Sequence, residues 1–593
     1  LRALAANLGS RSVRQGGSTI TQQLARGLFL GNQRTLVRKV REAFLAVGLE
    51  ILLSKDQILE MYLNSVYWGQ DGTAGIGGVA EAARFYFDLP VESLGVAEAA
   101  ALAGIIPAPN VYSPFRSAAA ARARRDAVLR DMVEVGVLDS AAAQRLARAP
   151  VRARRGAPPP ARHPSFTGWV RERLHERLPR GAAEGWGLAV MTTLDPVWQA
   201  QAERGLATGV ADQERWRGRG AQPLQGAFVA IENSTGAVRA MVGGRVAREG
   251  AFNRVTRGRR QPGSAIKPIV YAAALDPARG APRLTPASTV PDLRREFRTP
   301  QGPWKPQNNE GDYHERVTLA KALARSLNVA TANLVERIGP ATVVRYGERF
   351  GLPRLRPVAS IGLGTSEVTP LALVNAYTVF ANGGVRRDPT PLRAVLDARG
   401  RDLAPPRGEP ARVLSETTAA LMTGLLEDVV IFGVGYPLRA RFGFQQGVAG
   451  KTGTTNDHHD TWFVGFTRGM CAGVWVGFDT PQSLGRPASD VALPVWAGIV
   501  APLTLDPQPP AFPERDDLET AWIDPWSGGL AREDCPSPMR VPFPRGAAPR
   551  EACALDHVED WQRIFVAEAR AESIAVAQAA DSTDSGSFWP FGP

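Results

Sequence analysis

Residues 152–164 read RARRGAPPPARHP. Proline fixes φ and removes backbone N–H groups, and the arginines leave no apolar face, so this stretch cannot join a packed core. It divides a chain of 593 residues, already too long for one hydrophobic core. The apolar pattern differs on its two sides, a helical period before it and mixed strand and helix after it. At 44% hydrophobic and 22% charged residues the chain reads as globular.

Residues 1–150 read as an all-α domain. Leu36, Val40, Ala43, Phe44, Val47 and Ile51 recur at helical spacing, and Ile58, Leu59, Tyr62 and Leu63 do so behind Ser54 as an N-cap. Residues 97–106 and 118–133 add two helices. The formal charge is +12, and residues 1–165 hold 21 Lys and Arg against 13 Asp and Glu, so +8 of it lies there. A basic face suits phosphates, nucleic acid or an anionic membrane; solvated arginines of an Arg-rich chain give the same count. No Cys/His zinc spacing and no nucleic-acid motif favours DNA or RNA. The chain begins at Leu1 inside a helix-like stretch, residues 1–8, and carries no signal or spanning run. It reads as a fragment lacking its N-terminus.

Residues 151–225 read as a linker region with a strand at 188–194 and a helix around 198–210. From residue 226 to 505 the pattern is α/β. Strands at 227–232 and 238–242 flank Asn233-Ser234-Thr235-Gly236, a hairpin signal. Helices follow at 318–338 and 369–381, and strands at 460–466 and 471–477. Strands early and late with helices between predict an antiparallel sheet flanked by helices. Residues 506–593 read as a Pro-rich extension ending in a disordered tail, 581–593.

Three motifs sit in the α/β region: Ser264-Ala265-Ile266-Lys267, Ser326-Leu327-Asn328 and Lys451-Thr452-Gly453-Thr454. If a helix starts at Ser264, then Ser264 and Lys267 lie one turn apart on one face, at the positive end of the helix dipole. A serine hydroxyl needs a base, and a buried lysine near other cations can be one. Ser326 and Asn328 do not share a helix face, so they need a helix junction or loop to reach one cleft. Strand alternation puts Lys451 and Gly453 on one side and Thr452 and Thr454 on the other, and Gly453 lets a substrate backbone approach. Each motif alone is also a common surface feature. All three in this order point to an active-site serine acyltransferase.

On these residues, and on 226–245, 260–271 (RQPGSAIKPIVY), 304–328, 360–384 and 448–466, the chain resembles a class A penicillin-binding protein of the type 1b group. Leu327 stands where the Ser-Asp-Asn form has Asp. The resemblance implies an α/β penicillin-recognising fold and DD-transpeptidation without a cofactor. Ser264 would attack the D-Ala–D-Ala bond of a stem peptide, and a neighbouring stem's amine would take the acyl group. Lys267 would be the base, and Ser326 with Lys451 the proton relay. Asn328 would hold the donor peptide, and Thr452, Gly453 and Thr454 the substrate. The N–H groups of Ser264 and Thr454 would form the oxyanion hole. β-Lactams would acylate Ser264.

In the helical half, residues 16–23 (GGSTITQQ), 38–42 (RKVRE) and 55–64 (KDQILEMYLN) form a second set. Arg38 and Lys39 lie at i,i+4 and i,i+3 spacing from Glu42, which suits an exposed salt-bridged face or a pyrophosphate site. The segments resemble family 51 peptidoglycan glycosyltransferases. That resemblance implies a lysozyme-like fold and lipid II polymerisation, with Glu42 catalytic. It assigns substrate binding to Ser18, Thr19, Gln22, Gln23, Arg38, Lys39, Lys55 and Asn64. The family's first motif, Glu-Asp-x-x-Phe, supplies the general base, and residues 1–15 lack it; this fragment is expected to be inactive in glycosyl transfer. The resemblance also implies a divalent cation beside the pyrophosphate, for which no ligand set is legible. It further implies residence at the cytoplasmic membrane with the catalytic domains outside. Glycan strands, stem peptides and cell-wall regulatory proteins are the implied partners.

Of three cysteines, Cys535 and Cys553 share a Pro-rich stretch and are the disulfide candidate, which fits an oxidising compartment. Cys471 reads as a buried thiol. Trp304, Pro306 and Asn308 either line the cleft or pack beneath it, Asp460 supports its wall, and His458 and His459 read as exposed loop. Two rival functions stay open: a hydrolase (β-lactamase or DD-carboxypeptidase) and a non-catalytic penicillin-binding sensor. The helical set and Leu327 argue against a β-lactamase.

Overall fold

The structure, a computed structural model, describes residues 18–30, 36–71, 74–155, 162–178, 189–217, 222–246, 248, 250–276, 284–299, 302–352, 355–396, 401–404, 408–505 and 507–557. The expected helix at 1–8, Gly16, Gly17, residues 156–161 of the Pro/Arg stretch and the tail 581–593 lie outside these. The chain forms two compact units, one of Leu1–Arg162, Leu174–Met191 and Ala394–Pro405, the other of His163–Arg173, Thr192–Arg393 and Pro406–Pro593.

The first unit is helical. Helix α1 (Ile20–Phe29), α2 (Leu36–Leu52) and α3 (Lys55–Ser65) enclose a small core of Leu24, Ala25, Ala46, Leu49, Ile58 and Tyr62. Thr19 with Gln22, and Ser54 with Gln57, form capping boxes that satisfy the first N–H groups of α1 and α3. The apolar stripe of α2 has the expected period but faces out: Phe44 is 76% and Ile51 77% exposed, and Val40 and Val47 are exposed too. Glu42, Ala46 and Leu49 are turned inward. Periodicity identifies a helix with an apolar side; it does not say what that side meets. A second core gathers Trp68, Tyr86, Phe87, Leu102 and Ile105, and a short ribbon (Tyr67–Asp71 with Ala74–Gly77) adds strand structure that the sequence pattern did not suggest. No helix among the described residues is long and apolar enough to cross a membrane.

The second unit is built on an antiparallel sheet. Helix α4 (Pro196–Arg217) precedes β1 (Gln225–Glu232) and β2 (Val238–Val242), and the chain returns much later as β3 (Ala449–Thr454), β4 (Asp460–Phe466) and β5 (Met470–Gly477). The strand order is β3-β4-β5-β1-β2, so the first and last segments of the domain meet at β5–β1 and leave β3 at an edge. Side chains alternate across it. Phe228, Ala230, Ala472 and Val474 pack with Leu206 and Val210 of α4 and with Trp496 of the helix Ala492–Thr504. On the other face Cys471 donates to Val374 O, and a Cβ on Gly473 would touch Val374, both in the helix Pro370–Ala381. Burial of this apolar surface, worth about 25 cal/mol per Å², stabilises the sheet of which β3 is the edge strand. Cys471 is buried as expected, and burial pushes its thiol well up. Cys535 and Cys553 do not form the expected disulfide; both are free thiols whose sulfurs face the same histidine nitrogen, His557 Nε2.

Candidate active site

Ser264 lies in a 3-10 turn, Gly263–Ile266, that runs into helix α5 (Lys267–Leu275). Gly263 has φ +54, and a Cβ there would sit 2.4 Å from Thr454 O. Opposite it, a Cβ on Gly453 would be 2.4 Å from Pro262 O. These glycines let the serine turn press directly on edge strand β3. Ser264 is 9% exposed, and its hydroxyl has no hydrogen-bond partner among the described residues.

The expected single helix at 318–338 is broken where the chemistry requires it. Helix α6 (Leu319–Ala324) ends at Arg325, and α7 (Asn328–Ile338) begins three residues later. Leu327 N–H donates to Ala322 O at 2.9 Å, and Ser326 N–H to Leu323 O at 3.1 Å. This is a Schellman termination with Ser326 in the left-handed position, φ 58. Glycine is the usual occupant, because a Cβ there costs roughly 1–2 kcal/mol. Leu327 takes the following position, where an apolar side chain packs back on the helix; it is buried.

The bend delivers Ser326 and Asn328 to both lysines. Lys267 Nζ donates to Ser326 O at 2.6 Å, Asn328 Oδ1 at 2.8 Å, Leu327 O at 3.2 Å and Ser326 Oγ at 3.3 Å. Lys451 Nζ donates to Ser326 Oγ at 2.9 Å and to Thr452 O at 3.2 Å. Both amines are fully buried. Burial, and then the positive charge of Lys451, holds Lys267 well below the usual lysine range, against a smaller upward pull from Asp292. Burial brings Lys451 down to about 7. Thr452 is buried with Oγ1 3.4 Å from Lys451 Nζ, whereas Thr454 Oγ1 accepts the Ala488 N–H at 3.0 Å. Lys267 makes no hydrogen bond to Ser264.

Asn308 packs beneath the site. Its Oδ1 accepts the N–H groups of Asn328 and Val329, and its Nδ2 donates to Asp292 at 2.9 Å. Buried Asp292 also accepts Ala330 N–H at 3.0 Å. Together they satisfy the start of α7, which has no cap of its own. Nothing in the sequence pattern singled out Asp292. Trp304 packs on Phe297, Asp460 accepts the Trp475 indole, and His458 and His459 sit in a partly exposed turn.

In the helical unit, Glu42 is buried between Arg38 at 2.6 Å and Lys39 at 2.5 Å, and Lys39 also donates to Ser18 Oγ at 2.5 Å. These four residues form one cluster. The other expected residues do not join it by hydrogen bonds or ion pairs. Thr19 and Gln22 cap α1, Gln23 accepts from Tyr62 at 3.3 Å, Lys55 pairs with Glu50, and Asn64 is exposed.

Two families match the chain: Transglycosylase over residues 1–133 and Penicillin binding protein transpeptidase domain over residues 226–480. Penicillin-binding protein 1B of Vibrio cholerae is 35% identical over 545 residues, which is 91% of this chain and 69% of that protein. The chain belongs to the class A, bifunctional penicillin-binding proteins. Penicillin-binding protein 1A of Aquifex aeolicus is 32% identical, over 93% of this chain and 85% of its own. Among solved structures, penicillin-binding protein 1A from Haemophilus influenzae shares the fold with a TM-score of 0.66 at 21% identity, over 90% of this chain and 94% of its own. The PonA1 protein from Mycobacterium tuberculosis, solved with penicillin V, shares it with a TM-score of 0.50 at 23% identity, over 62% of this chain and 98% of its own. As a family member the chain is a peptidoglycan synthase with a glycosyltransferase and a transpeptidase domain.

Proposed function

We propose that the second unit is a DD-transpeptidase that cross-links stem peptides through an acyl-Ser264 intermediate. One observation carries the reading: two buried lysines converge on Ser326, and one of them, Lys267, begins the helix that the Ser264 turn runs into. Lys267, kept ready to be neutral, takes the Ser264 proton as Oγ bonds to the carbonyl carbon. The C–N bond then breaks, and Ser326 passes a proton from Lys451 to the departing D-Ala amine. The acceptor amine reverses the relay. Asn328 orients the donor peptide, and Thr452 and Thr454 hold its carboxylate. The N–H groups of Ser264, at the head of its turn, and of Thr454, on the edge strand, receive the oxyanion. A protein of the same fold in complex with penicillin V supports β-lactam binding here.

The helical unit is proposed to bind the lipid II pyrophosphate through Ser18, Arg38 and Lys39. Glu42, paired with both cations, holds them in place beside Ser18. The exposed apolar face of α2, with Phe44 and Ile51, is proposed to lie on the cytoplasmic membrane. The test of the main reading is release of D-Ala and formation of cross-linked dimers from stem peptides. Both should be lost in Ser264→Ala. Hydrolysis of the donor without dimers would instead make the protein a carboxypeptidase.

A further inference from the structure

The C-terminal part of the second unit carries a cluster unrelated to either active site. Strand β6 (Leu518–Ile523) pairs with β7 (Met539–Pro544), and the loops around this hairpin bring Asp524, Cys535, Cys553 and His557 together. All four are buried, and their four ligand-type atoms lie within 4.8 Å of one another. His557 Nε2 is 3.3 Å from Cys535 Sγ, 3.2 Å from Cys553 Sγ and 3.5 Å from Asp524 Oδ2. A tetrahedral zinc site, with bonds of about 2.3 Å to sulfur and about 2.0 Å to nitrogen or oxygen, has ligand–ligand edges of roughly 3.3–3.8 Å. The three edges from His557 Nε2, 3.2–3.5 Å, lie close to that range, and all four atoms are within 4.8 Å of one another, near enough for a bound ion to draw them in.

A second observation points the same way. Asp524 Oδ1 is held by the N–H groups of Trp526 at 3.2 Å and Ser527 at 2.7 Å, while Oδ2 is buried with no hydrogen-bond donor. A buried carboxylate oxygen without a donor is costly unless a cation meets it. Each sulfur also accepts a hydrogen bond. Arg532 N–H donates to Cys535 Sγ, and Ser527 Oγ to Cys553 Sγ, each at 3.2 Å. The Arg532 guanidinium, itself paired with Asp534 at 2.6 Å, donates to Cys553 O at 2.8 Å and Leu555 O at 3.0 Å and so fixes the backbone around Cys553.

We propose that Asp524, Cys535, Cys553 and His557 bind one Zn²⁺. The two thiols release their protons to solvent on binding, and imidazole and carboxylate complete four ligands. No coordination position is left open, so the site is structural. Two-stranded hairpins are marginal alone, and a metal staple is one solution. The stapled turn is joined to the transpeptidase. Pro525 O accepts the Thr318 N–H at 3.0 Å, and the Trp526 ring stacks on His314 at 4.5 Å, which in turn faces Asp292 at 3.2 Å.

The test is metal analysis of the tag-free 593-residue chain, purified without chelator or reductant. The expected result is about one zinc per chain, released when a mercurial titrates two thiols. Cobalt added to metal-stripped protein should give a thiolate-to-metal absorption band and tetrahedral visible bands. His557→Ala should lower zinc affinity at least tenfold. Wild-type protein with neither zinc nor cobalt absorption would overturn the proposal. A Cys535–Cys553 disulfide in metal-free protein, seen by peptide mapping, would overturn it in favour of the oxidised form. Because the readout is metal on the wild-type chain, it stands even if a variant fails to fold, and it does not depend on the transpeptidase reading.

Discussion

Lys451→Met removes a charge that the fold holds at a cost. Burial lowers Lys451 from 10.5 to about 7. At about 1.4 kcal/mol per unit, keeping this amine in the folded state costs on the order of 4–5 kcal/mol at or below pH 7. The lost hydrogen bonds to Ser326 Oγ and Thr452 O return roughly half of that. The variant is therefore expected to be more stable than wild type by about 2 kcal/mol at pH 7. Between pH 7 and 10.5 the unfolded wild-type chain keeps a proton that the folded chain has released, so wild-type stability rises with pH. Lys451→Met lacks that slope, and its advantage should shrink as pH approaches about 10. Removing the relay should also slow acylation by a β-lactam about 10²–10⁴-fold. Urea unfolding of the second unit at pH 7 and at about pH 9.5 reads the first effect, and labelling with a fluorescent penicillin reads the second. A variant less stable than wild type by the same amount at both pH values, or one acylated at the wild-type rate, would refute the reasoning.

Ser326→Gly and Ser326→Ala should both lose acylation, but Ser326→Gly should be the more stable by about 1 kcal/mol, since only glycine tolerates φ 58 freely; thermal unfolding of the pair measures this. Gly263→Ala would put a methyl 2.4 Å from Thr454 O, and should cost at least about 2 kcal/mol and displace Ser264, lowering penicillin labelling as well as the unfolding temperature. Glu42→Gln leaves Arg38 and Lys39 facing a neutral amide and should destabilise the first unit by about 1–2 kcal/mol, discounted because Lys39 is half exposed.

Much of the site was legible because its chemistry is local in sequence. Ser264 and Lys267 share one turn, and Lys451 to Thr454 lie on one strand, so spacing alone placed them. Ser326 and Asn328 cannot reach one cleft from a single helix face, and the helix does break at Ser326. What spacing could not carry was the identity of partners distant in sequence. Asp292 supports α7 from 38 residues away through Ala330 N–H. The cysteines pointed to a disulfide because the two other members of their cluster, Asp524 and His557, are ordinary polar residues until the hairpin folds. The α2 stripe had the right period, but its outward face is settled by Glu42 and Leu49 packing inward.

The most direct test of the central claim is intact-protein mass spectrometry after incubation with penicillin, followed by peptide mapping. The expected result is one long-lived acyl adduct on the peptide containing Ser264, absent in Ser264→Ala. An adduct on another residue, no adduct, or an adduct that turns over within seconds would contradict it.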